Sequence, residues 1–196
     1  MSWLVRNHSA ATFVVHPSAG SEKRHVSVVP DVQPSAYFRW QPILAWIAVA
    51  IATPVFLPVI VLLVVLVRLT SRGPGLYRQQ RVGKNGKLFW IYKIRTMRTD
   101  AEAETGPVWT DENDPRITPV GRWLRRLHLD ELPQIFNVLM GQMTLIGPRP
   151  ERPEFAQSLA RAIPGYLLRN KVLPGITGLA QINLPPDTDL ESVRRK

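Results

Sequence analysis

An uninterrupted apolar segment constrains this chain more than any other feature. From Gln41 to Val67 the sequence contains no charged residue, and Ile, Leu, Val and Ala dominate it. The segment is longer than the ~20 residues that a helix needs to cross a bilayer. Hydropathy alone therefore favours one membrane-spanning helix.

Two details of this segment favour a different topology. Thr53-Pro54 and Pro58 fall near its middle, where each proline removes a helix hydrogen bond and clashes with the preceding turn. Both flanks are basic, with Arg39 before the segment and Arg68 directly after it. Since Lys and Arg mark the cytoplasmic side, these flanks suit a segment that enters and returns, with arms of about 18 Å. On these grounds a re-entrant hairpin and a kinked span remain open alternatives.

Charge and composition limit the partners. Lys plus Arg number 25 and Asp plus Glu 15, which gives a net charge of +10 over 196 residues. Such a balance implies an anionic partner, whether nucleic acid, anionic lipid or a phosphorylated substrate. The chain has no Cys, which excludes disulfides, thiolate nucleophiles and cysteine metal sites.

The segment divides the chain into three parts. Residues 1–36 lack sustained periodicity and carry scattered Pro, Ser and Gly, so we predict a disordered N-terminal tail. Residues 37–70 form the membrane helix, and residues 71–196 form one soluble domain of ordinary size.

The soluble part begins with a predicted β-hairpin. Asn85-Gly86 lies between two β-rich runs, which is a strong hairpin signal. Lys93 and Arg95 in the second run are two residues apart and are expected on one face. Their plainest interpretation is a pair of solvated strand cations. The loop lacks the Gly-Lys-Ser/Thr ending of a phosphate loop, so it is not a nucleotide site.

Two amphipathic helices are predicted further along. Thr118-Pro119 is typical of an N-cap followed by proline at the first helical position. Both helices show apolar residues at helical spacing. These residues are Val120, Trp123, Leu124 and Leu127 in the first helix and Leu132, Ile135, Phe136, Leu139 and Met140 in the second. A bent membrane helix, a small hairpin or sheet and amphipathic surface helices together predict an α+β fold.

The adjacent carboxylates Asp130 and Glu131 lie at the start of the second helix. Asp130 could simply cap that helix, but this leaves Glu131 unexplained. A helix N-terminus also attracts phosphate, and Arg125 lies about one turn earlier. Two carboxylates suit Mg²⁺ bound together with a substrate phosphate, and a carboxylate can attack a phosphoryl group to give an aspartyl phosphate.

Five motifs occur in an order that resembles one protein family, the bacterial sugar transferases, which are small monotopic phosphoglycosyl transferases. The resemblance extends from about Tyr37 to Asn183. The motifs are Thr53-Pro54, the run 91–97 (IYKIRTM), the run 129–134 (LDELPQ), Gly147-Pro148-Arg149-Pro150 and the run 174–181 (PGITGLAQ).

The resemblance implies a catalytic domain on the cytoplasmic face of the bacterial inner membrane, anchored by a re-entrant helix with both ends cytoplasmic. It implies transfer of a sugar phosphate from a UDP-sugar to polyprenol (undecaprenyl) phosphate with release of UMP. Such a reaction initiates exopolysaccharide or other glycan assembly. The implied route is ping-pong, through a covalent phosphosugar on the Asp of the Asp-Glu pair, with Mg²⁺ bound nearby.

Carried over by position, the resemblance makes Asp130 the nucleophile and gives Glu131 a supporting role toward Asp130 and the metal. It also implies contacts with substrate phosphate from four basic residues, namely Arg125, Arg149, Lys93 and Arg95. Pro148 and Pro150 restrict the backbone on either side of Arg149.

The chain departs from the family pattern at three places. Thr53-Pro54 stands where Ser-Pro is common, and Thr is expected to make the same local backbone bond. Gln41 stands where an acidic residue is usual. Family members continue past the position of Lys196 with an aromatic, amphipathic segment, so the C-terminal part of the family domain is expected to be missing here.

Two other classes of protein share part of this pattern. A non-enzymatic membrane adaptor that binds anionic lipid accounts for the charge and the anchor, but not for Asp130-Glu131 or the turn around Arg149. A nucleic-acid binder accounts only for the charge, because no recognition-helix or RNA-motif pattern is present. We therefore expect no nucleic-acid partner.

Overall fold

A computed structural model describes residues 35–103, 106, 108, 114–184 and 190–195. The predicted N-terminal tail lies outside the described residues except for Ser35 and Ala36. The described chain mixes helices with two small sheets, which confirms the α+β class. In chain order the elements are α1 Tyr37–Thr70, β1 Leu76–Val82, a single 3₁₀ turn Lys84–Gly86, β2 Leu88–Ile94, α2 Pro119–Arg126, a 3₁₀ helix Leu129–Gln134, α3 Ile135–Leu139, β3 Thr144–Ile146, α4 Pro153–Ala162, a second 3₁₀ helix Tyr166–Lys171, β4 Gly175–Thr177, α5 Leu179–Asn183 and α6 Leu190–Arg194.

Helix α1 is long and apolar enough to cross a membrane, and it is the one such helix in the described part of the chain. Its helical backbone continues through Pro54 and Pro58. The break predicted at Thr53-Pro54 is therefore not a loop. The Thr53 hydroxyl donates to the Val49 carbonyl at 2.7 Å, one turn back. This is the local backbone bond expected of threonine at that position.

The buried face of α1 is interrupted at its middle. Ala45, Phe56 and Val67 are spaced by eleven residues, close to three helical turns, so they lie on one face. Ala45 is 4% exposed and Val67 is 1% exposed, whereas Phe56 between them is 37% exposed. Both ends of α1 therefore pack on the elements that follow it in the chain, and its middle is more exposed.

The predicted hairpin is confirmed. Strands β1 and β2 pair antiparallel, with Tyr77 opposite Lys93. Asn85 and Gly86 in the turn both have positive φ, 57° and 75°, which is the conformation that favours Asn-Gly there. A second, parallel pair joins β3 to β4 through Thr144–Gly175 and Ile146–Thr177. The sequence pattern did not predict this parallel pair.

The core lies between the ends of α1, the hairpin and α3. Ala45, Val49 and Ile60 of α1 form one cluster with five buried residues of the domain, Phe89, Ile91, Ile135, Val138 and Met143. A second cluster joins Leu63 and Val67 to Ile94 and Leu124. Apolar side chains from both halves of α1 thus complete the core formed by the elements that follow it.

A buried amide fixes the 3₁₀ helix Leu129–Gln134 and the continuous α3, together called the site helix, to the hairpin. Asn137 of α3 is fully buried. It accepts from Tyr92 N at 3.2 Å and donates to Trp90 O at 2.7 Å. It also donates to Gln142 Oε1 at 2.8 Å. Since a buried amide without partners is costly, this set of bonds holds α3 and the preceding 3₁₀ helix against β2.

Candidate active site around Asp130 and Glu131

The start of α2 is built as the sequence predicts. The Thr118 hydroxyl accepts from Gly121 N at 3.0 Å, with Pro119 at the first helical position. A Cβ on Gly121 would lie 2.0 Å from the Thr96 carbonyl oxygen, so only glycine permits this approach. The close packing brings Arg125 to Thr96, where its Nε donates to the threonine hydroxyl at 2.9 Å.

The turn between α2 and the site helix presents the carboxylate pair. His128 has φ +54° and precedes the 3₁₀ helix. The N-cap position of that helix is therefore His128, and Asp130 lies in the first turn. This removes the interpretation of Asp130 as a simple N-cap and leaves its side chain available for another role.

Glu131 is held by two cations. Lys93 Nζ lies 2.7 Å and Arg149 Nη2 lies 3.0 Å from the same carboxylate oxygen, Oε1. Burial opposes the ionisation of Glu131, but the two cations outweigh burial and hold the pKa of its carboxyl well below its usual range. Glu131 is therefore a fixed anion that orients Lys93 and Arg149.

Asp130 has a different environment. Its side chain is buried, with 7% of the residue exposed, yet among the described residues no cation lies within 4.0 Å of its carboxylate. Burial raises the pKa of Asp130, and the negative charge of Glu131 adds to this, while Lys93 and Arg125 act in the opposite direction. The result is a desolvated carboxylate that is not committed to any ion pair.

Arg149 reaches the pair from a constrained turn. Pro148 and Pro150 flank it, and the side chain is 44% exposed. Only one nitrogen, Nη2, is within hydrogen-bond distance of Glu131. A guanidinium can donate five hydrogen bonds, so Arg149 keeps donors available on its exposed side.

The structure brings together most of the predicted site residues. Asp130, Glu131, Lys93 and Arg149 lie in one cluster, and Arg125 interacts electrostatically with Asp130 from α2. The structure does not bring Arg95 to this cluster. Its guanidinium turns to the end of α1 and donates to the carbonyls of Ser71 and Arg72 and to the Ser71 hydroxyl.

Arg95 has this different role because α1 ends there. The last carbonyls of a helix lack intrahelical donors, and Arg95, 6% exposed, supplies donors to the residues directly after α1. Arg95 also follows β2 rather than lying within it, so the face shared with Lys93 does not extend to it. We therefore leave Arg95 out of the phosphate-binding group.

The donor set near Asp130 is compatible with magnesium. No group of three or more potential ligands occurs in the described residues, so a cage made wholly of protein is not formed there. The uncommitted Asp130 carboxylate and the second oxygen of Glu131, Oε2, are hard donors. Mg²⁺ is commonly held by one or two carboxylates together with substrate phosphates, and these two residues fit that pattern.

Two basic residues that sequence reasoning missed lie beside the site. Arg81 of β1 donates to the Pro150 carbonyl at 3.2 Å, and Arg169 donates to the Arg149 carbonyl at 2.7 Å. Strand alternation with Tyr77 opposite Lys93 places Arg81 on the same hairpin face as Lys93, so the hairpin pattern contained a signal for Arg81. The sequence holds no comparable signal for Arg169.

Comparison with known proteins identifies the class. A family model described as bacterial sugar transferase matches residues 37–195. Because this match covers most of the chain, including α1 and the Asp130 site, the chain belongs to the bacterial sugar transferase family.

Named relatives support the same class. A Bacillus subtilis (strain 168) protein, provisionally named an undecaprenyl-phosphate N-acetylgalactosaminyl 1-phosphate transferase, is 48% identical over 124 residues, or 63% of this chain and 68% of the relative. The Escherichia coli (strain K12) UDP-glucose:undecaprenyl-phosphate glucose-1-phosphate transferase is 46% identical over 126 residues, or 64% of this chain and 27% of the relative. A Rhizobium leguminosarum bv. phaseoli exopolysaccharide production protein is 43% identical over 131 residues, or 65% of this chain and 66% of the relative. The match thus spans only about a quarter of the Escherichia coli enzyme.

Proposed function

We propose that this protein transfers a sugar phosphate from a UDP-sugar to undecaprenyl phosphate and releases UMP. The observation that carries the proposal is the contrast at the carboxylate pair. Asp130 is buried and has no ion pair with any residue that the structure describes, while Glu131 beside it binds Lys93 and Arg149. A nucleophile needs an available electron pair, and its anionic substrate needs cations close by. The site supplies both.

The proposed reaction has two displacement steps. In the first, a carboxylate oxygen of Asp130 attacks the phosphorus that bears the sugar, and the bond from that phosphorus to the bridging oxygen breaks. UMP leaves, and a phosphosugar remains on Asp130 as an acyl phosphate. In the second step a phosphate oxygen of undecaprenyl phosphate attacks the same phosphorus, which restores Asp130 and gives undecaprenyl diphosphate sugar.

The basic residues have separate roles in this scheme. Arg149 uses its exposed donors to bind phosphate oxygens, for which its planar guanidinium is suited. Lys93 and Arg125 balance the negative charge that substrate brings to Asp130. Asp130 and the free oxygen of Glu131 would hold Mg²⁺, which neutralises phosphate charge when bound.

The proposed topology is re-entrant, with both ends of α1 at the cytoplasmic face. Gln41 at one end donates to the Ile146 carbonyl at 3.0 Å, and Val67 at the other end packs on Ile94 and Leu124. A helix that crossed the bilayer would place these two residues on opposite sides, about 39 Å apart. The exposed Phe56 supports a bend that lifts the middle of α1 away from the domain.

This topology suits the substrates. An undecaprenyl chain lies in the bilayer and its phosphate at the surface, where a domain held by both arms of α1 would place Asp130. The sugars in the names of the relatives are glucose and N-acetylgalactosamine, so UDP-glucose and UDP-N-acetylgalactosamine are the first donors to test. We propose exopolysaccharide assembly as the pathway that uses the product.

The test is a donor screen with the full chain in detergent or lipid. UMP release is measured for each UDP-sugar with and without undecaprenyl phosphate and Mg²⁺, and the lipid product is followed by radiolabel. We expect one donor to give UMP and a labelled lipid, both absent in Asp130→Asn. If no donor gives UMP while the protein still binds anionic vesicles, the membrane-adaptor alternative replaces the enzyme.

A further inference from the structure

Four successive carbonyls around Arg149 each accept a hydrogen bond from outside the turn. The donors come from β4, the second 3₁₀ helix and β1. The pairs are Gly175 N to Pro148 O at 3.0 Å, Arg169 Nη2 to Arg149 O at 2.7 Å, Arg81 Nη1 to Pro150 O at 3.2 Å and Val82 N to Glu151 O at 2.9 Å. The backbone from Pro148 to Glu151 is thus fixed at every carbonyl.

The turn depends on these donors because it cannot stabilise itself by a regular ladder. Pro148 and Pro150 have no N–H, so two of its residues donate no backbone bond. The Arg149 side chain is 44% exposed and contacts Glu131 through one nitrogen. The direction in which this exposed side chain leaves the backbone is therefore set by the bonds to the turn.

We infer that Arg169 and Arg81 are positioning residues that aim Arg149 at the phosphate site. This inference rests on the proposed phosphoglycosyl transfer. Neither guanidinium is within 4.0 Å of Asp130 or Glu131 among the described contacts, so both act through the turn. A shift of about 1 Å in a substrate-orienting group can cost on the order of a hundredfold in rate.

Arg169 is itself held in place. Its Nη1 donates to the Tyr166 hydroxyl at 2.8 Å, and its guanidinium lies 4.9 Å from the centre of the Tyr166 ring. The aromatic contact orients one face of the guanidinium, and its Nη2 donates to the Arg149 carbonyl. Tyr166, Arg169 and Arg149 therefore form a chain from the second 3₁₀ helix to the site.

Arg81 holds the other side of the turn and is more deeply buried. Its side chain is 16% exposed, its Nη2 donates to Gln79 Oε1 at 2.7 Å, and Glu151 lies 3.7 Å away. Removal of the Arg81 side chain would leave Gln79 without a hydrogen-bond donor and Glu151 without a nearby cation. It would therefore lower stability as well as activity. Arg169 is therefore the sharper position for a test.

The experiment is a double-mutant cycle on UMP release by the full chain. The variants are Arg169→Met, Arg149→Ala and the double variant, with Arg161→Met as the matched control on an exposed part of α4. We expect Arg169→Met to lower kcat/KM between about ten- and a hundredfold, and Arg161→Met to leave it unchanged. In the Arg149→Ala background, Arg169→Met should cost less than about threefold, because the group that it positions is absent.

Each outcome decides between positioning and general support. A loss from Arg169→Met that is equally large with and without Arg149 assigns Arg169 a role independent of Arg149 and overturns the inference. Arg169→Lys retains a cationic hydrogen-bond donor group and should recover part of the activity, and no recovery at an unchanged melting temperature also counts against positioning. If the parent chain releases no UMP with any donor, the proposed function itself fails. This result is distinct from an active parent in which the effects of Arg169→Met and Arg149→Ala are additive, which overturns only the positioning role.

Discussion

Asp130 and Glu131 are neighbours in the chain but occupy opposite electrostatic environments. Glu131 accepts hydrogen bonds from Lys93 at 2.7 Å and from Arg149 at 3.0 Å. The pKa of Glu131 is lowered by these cations against the effect of burial, whereas the pKa of Asp130 is raised, mainly by burial. When the surroundings shift the pKa values of two neighbouring titratable groups in opposite directions, the two groups commonly have different roles in a site.

The first prediction follows from the free carboxylate. Incubation with a UDP-sugar donor and Mg²⁺, but without undecaprenyl phosphate, should leave a phosphosugar on Asp130, because the second step has no acceptor. Intact-protein mass spectrometry should show one added sugar phosphate. Asp130→Asn should show none. An adduct of the same mass in Asp130→Asn would move the nucleophile to another residue.

The second prediction concerns stability at neutral pH. The pKa of Asp130 is higher in the folded protein than in the unfolded chain. Its contribution to stability is therefore fully present below the unfolded-state pKa and is lost as the pH rises through the folded-state pKa. Ionised Asp130 therefore opposes folding at pH 7, and Asp130→Asn should raise the melting temperature. For Glu131 the pKa is lowered, so its contribution is present above the unfolded-state pKa and is lost as the pH falls through the folded value.

Glu131→Gln should consequently have the opposite effect. It leaves buried Lys93 without its anion, and an unsatisfied buried charged partner costs about 1–3 kcal/mol or more. Thermal unfolding of both variants in the same detergent at pH 7 measures the contrast. A stabilising Glu131→Gln or a destabilising Asp130→Asn would contradict the charge assignment.

The third prediction concerns pH dependence. Lys93 lowers the pKa of Asp130, and Glu131 raises it. If ionised Asp130 is the attacking group, activity falls as the pH drops through its pKa. Lys93→Met should move this acidic limb of kcat/KM to higher pH, and Glu131→Gln should move it to lower pH. The pH profiles of both variants are measured at constant ionic strength. If the acidic limb stays at the same pH in both variants, it does not report the ionisation of Asp130.

The fourth prediction concerns Arg149. Arg149→Ala should lower kcat/KM strongly, since a charge-assisted hydrogen bond to phosphate contributes about 1.5–3 kcal/mol. Arg149→Lys should recover only part, because lysine lacks the planar fork. The fold should persist, because the side chain is exposed. Circular dichroism provides the control, and full activity in Arg149→Ala would reduce this residue to a structural member of the turn.

Local signals explain how much of the fold the sequence predicts. The hairpin turn requires positive φ, which Asn85 and Gly86 adopt readily. Thr118 caps α2 and Pro119 fixes φ at its first position. The hairpin and α2 therefore form where the sequence pattern predicts them. The same reasoning singles out the Asp130-Glu131 pair and the proline-flanked Arg149. Lys93 enters only through the family resemblance, because its strand pattern predicts a solvated cation. These predictions depend only on residues near one another in the chain, together with the family resemblance for the roles.

Long-range contacts explain what the sequence does not predict. Asn137 and Gln134 lie on the buried side of the site helix, although an apolar pattern assigns that side to hydrophobic residues. Arg95 is attracted to the end of α1, more than 20 residues earlier, and Arg169 reaches Arg149 across 20 residues. No local periodicity encodes such pairings, because they follow from how separate elements pack.

The last prediction concerns the topology of α1. Helical backbone continues through Pro54 and Pro58, yet each proline still removes one backbone donor and introduces a ring clash. Replacing both with Ala would favour a straight helix, and the segment Gln41 to Val67 would then be about 39 Å long, enough to span the bilayer. The double substitution should therefore convert part of the population to a spanning form with Met1 outside.

Single cysteines can report this conversion because the native chain contains none. One replaces Ser9, before α1, and the other replaces Lys84 in the hairpin turn. In intact cells an impermeant thiol reagent should label neither position in the parent, since a re-entrant α1 keeps both ends inside. In the Pro54→Ala, Pro58→Ala background it should label position 9 and still not position 84, while lysed cells provide full labelling as the control. Labelling of position 9 in the parent would show that α1 crosses the membrane, and the contacts of Gln41 and Val67 with one domain would then need a different explanation.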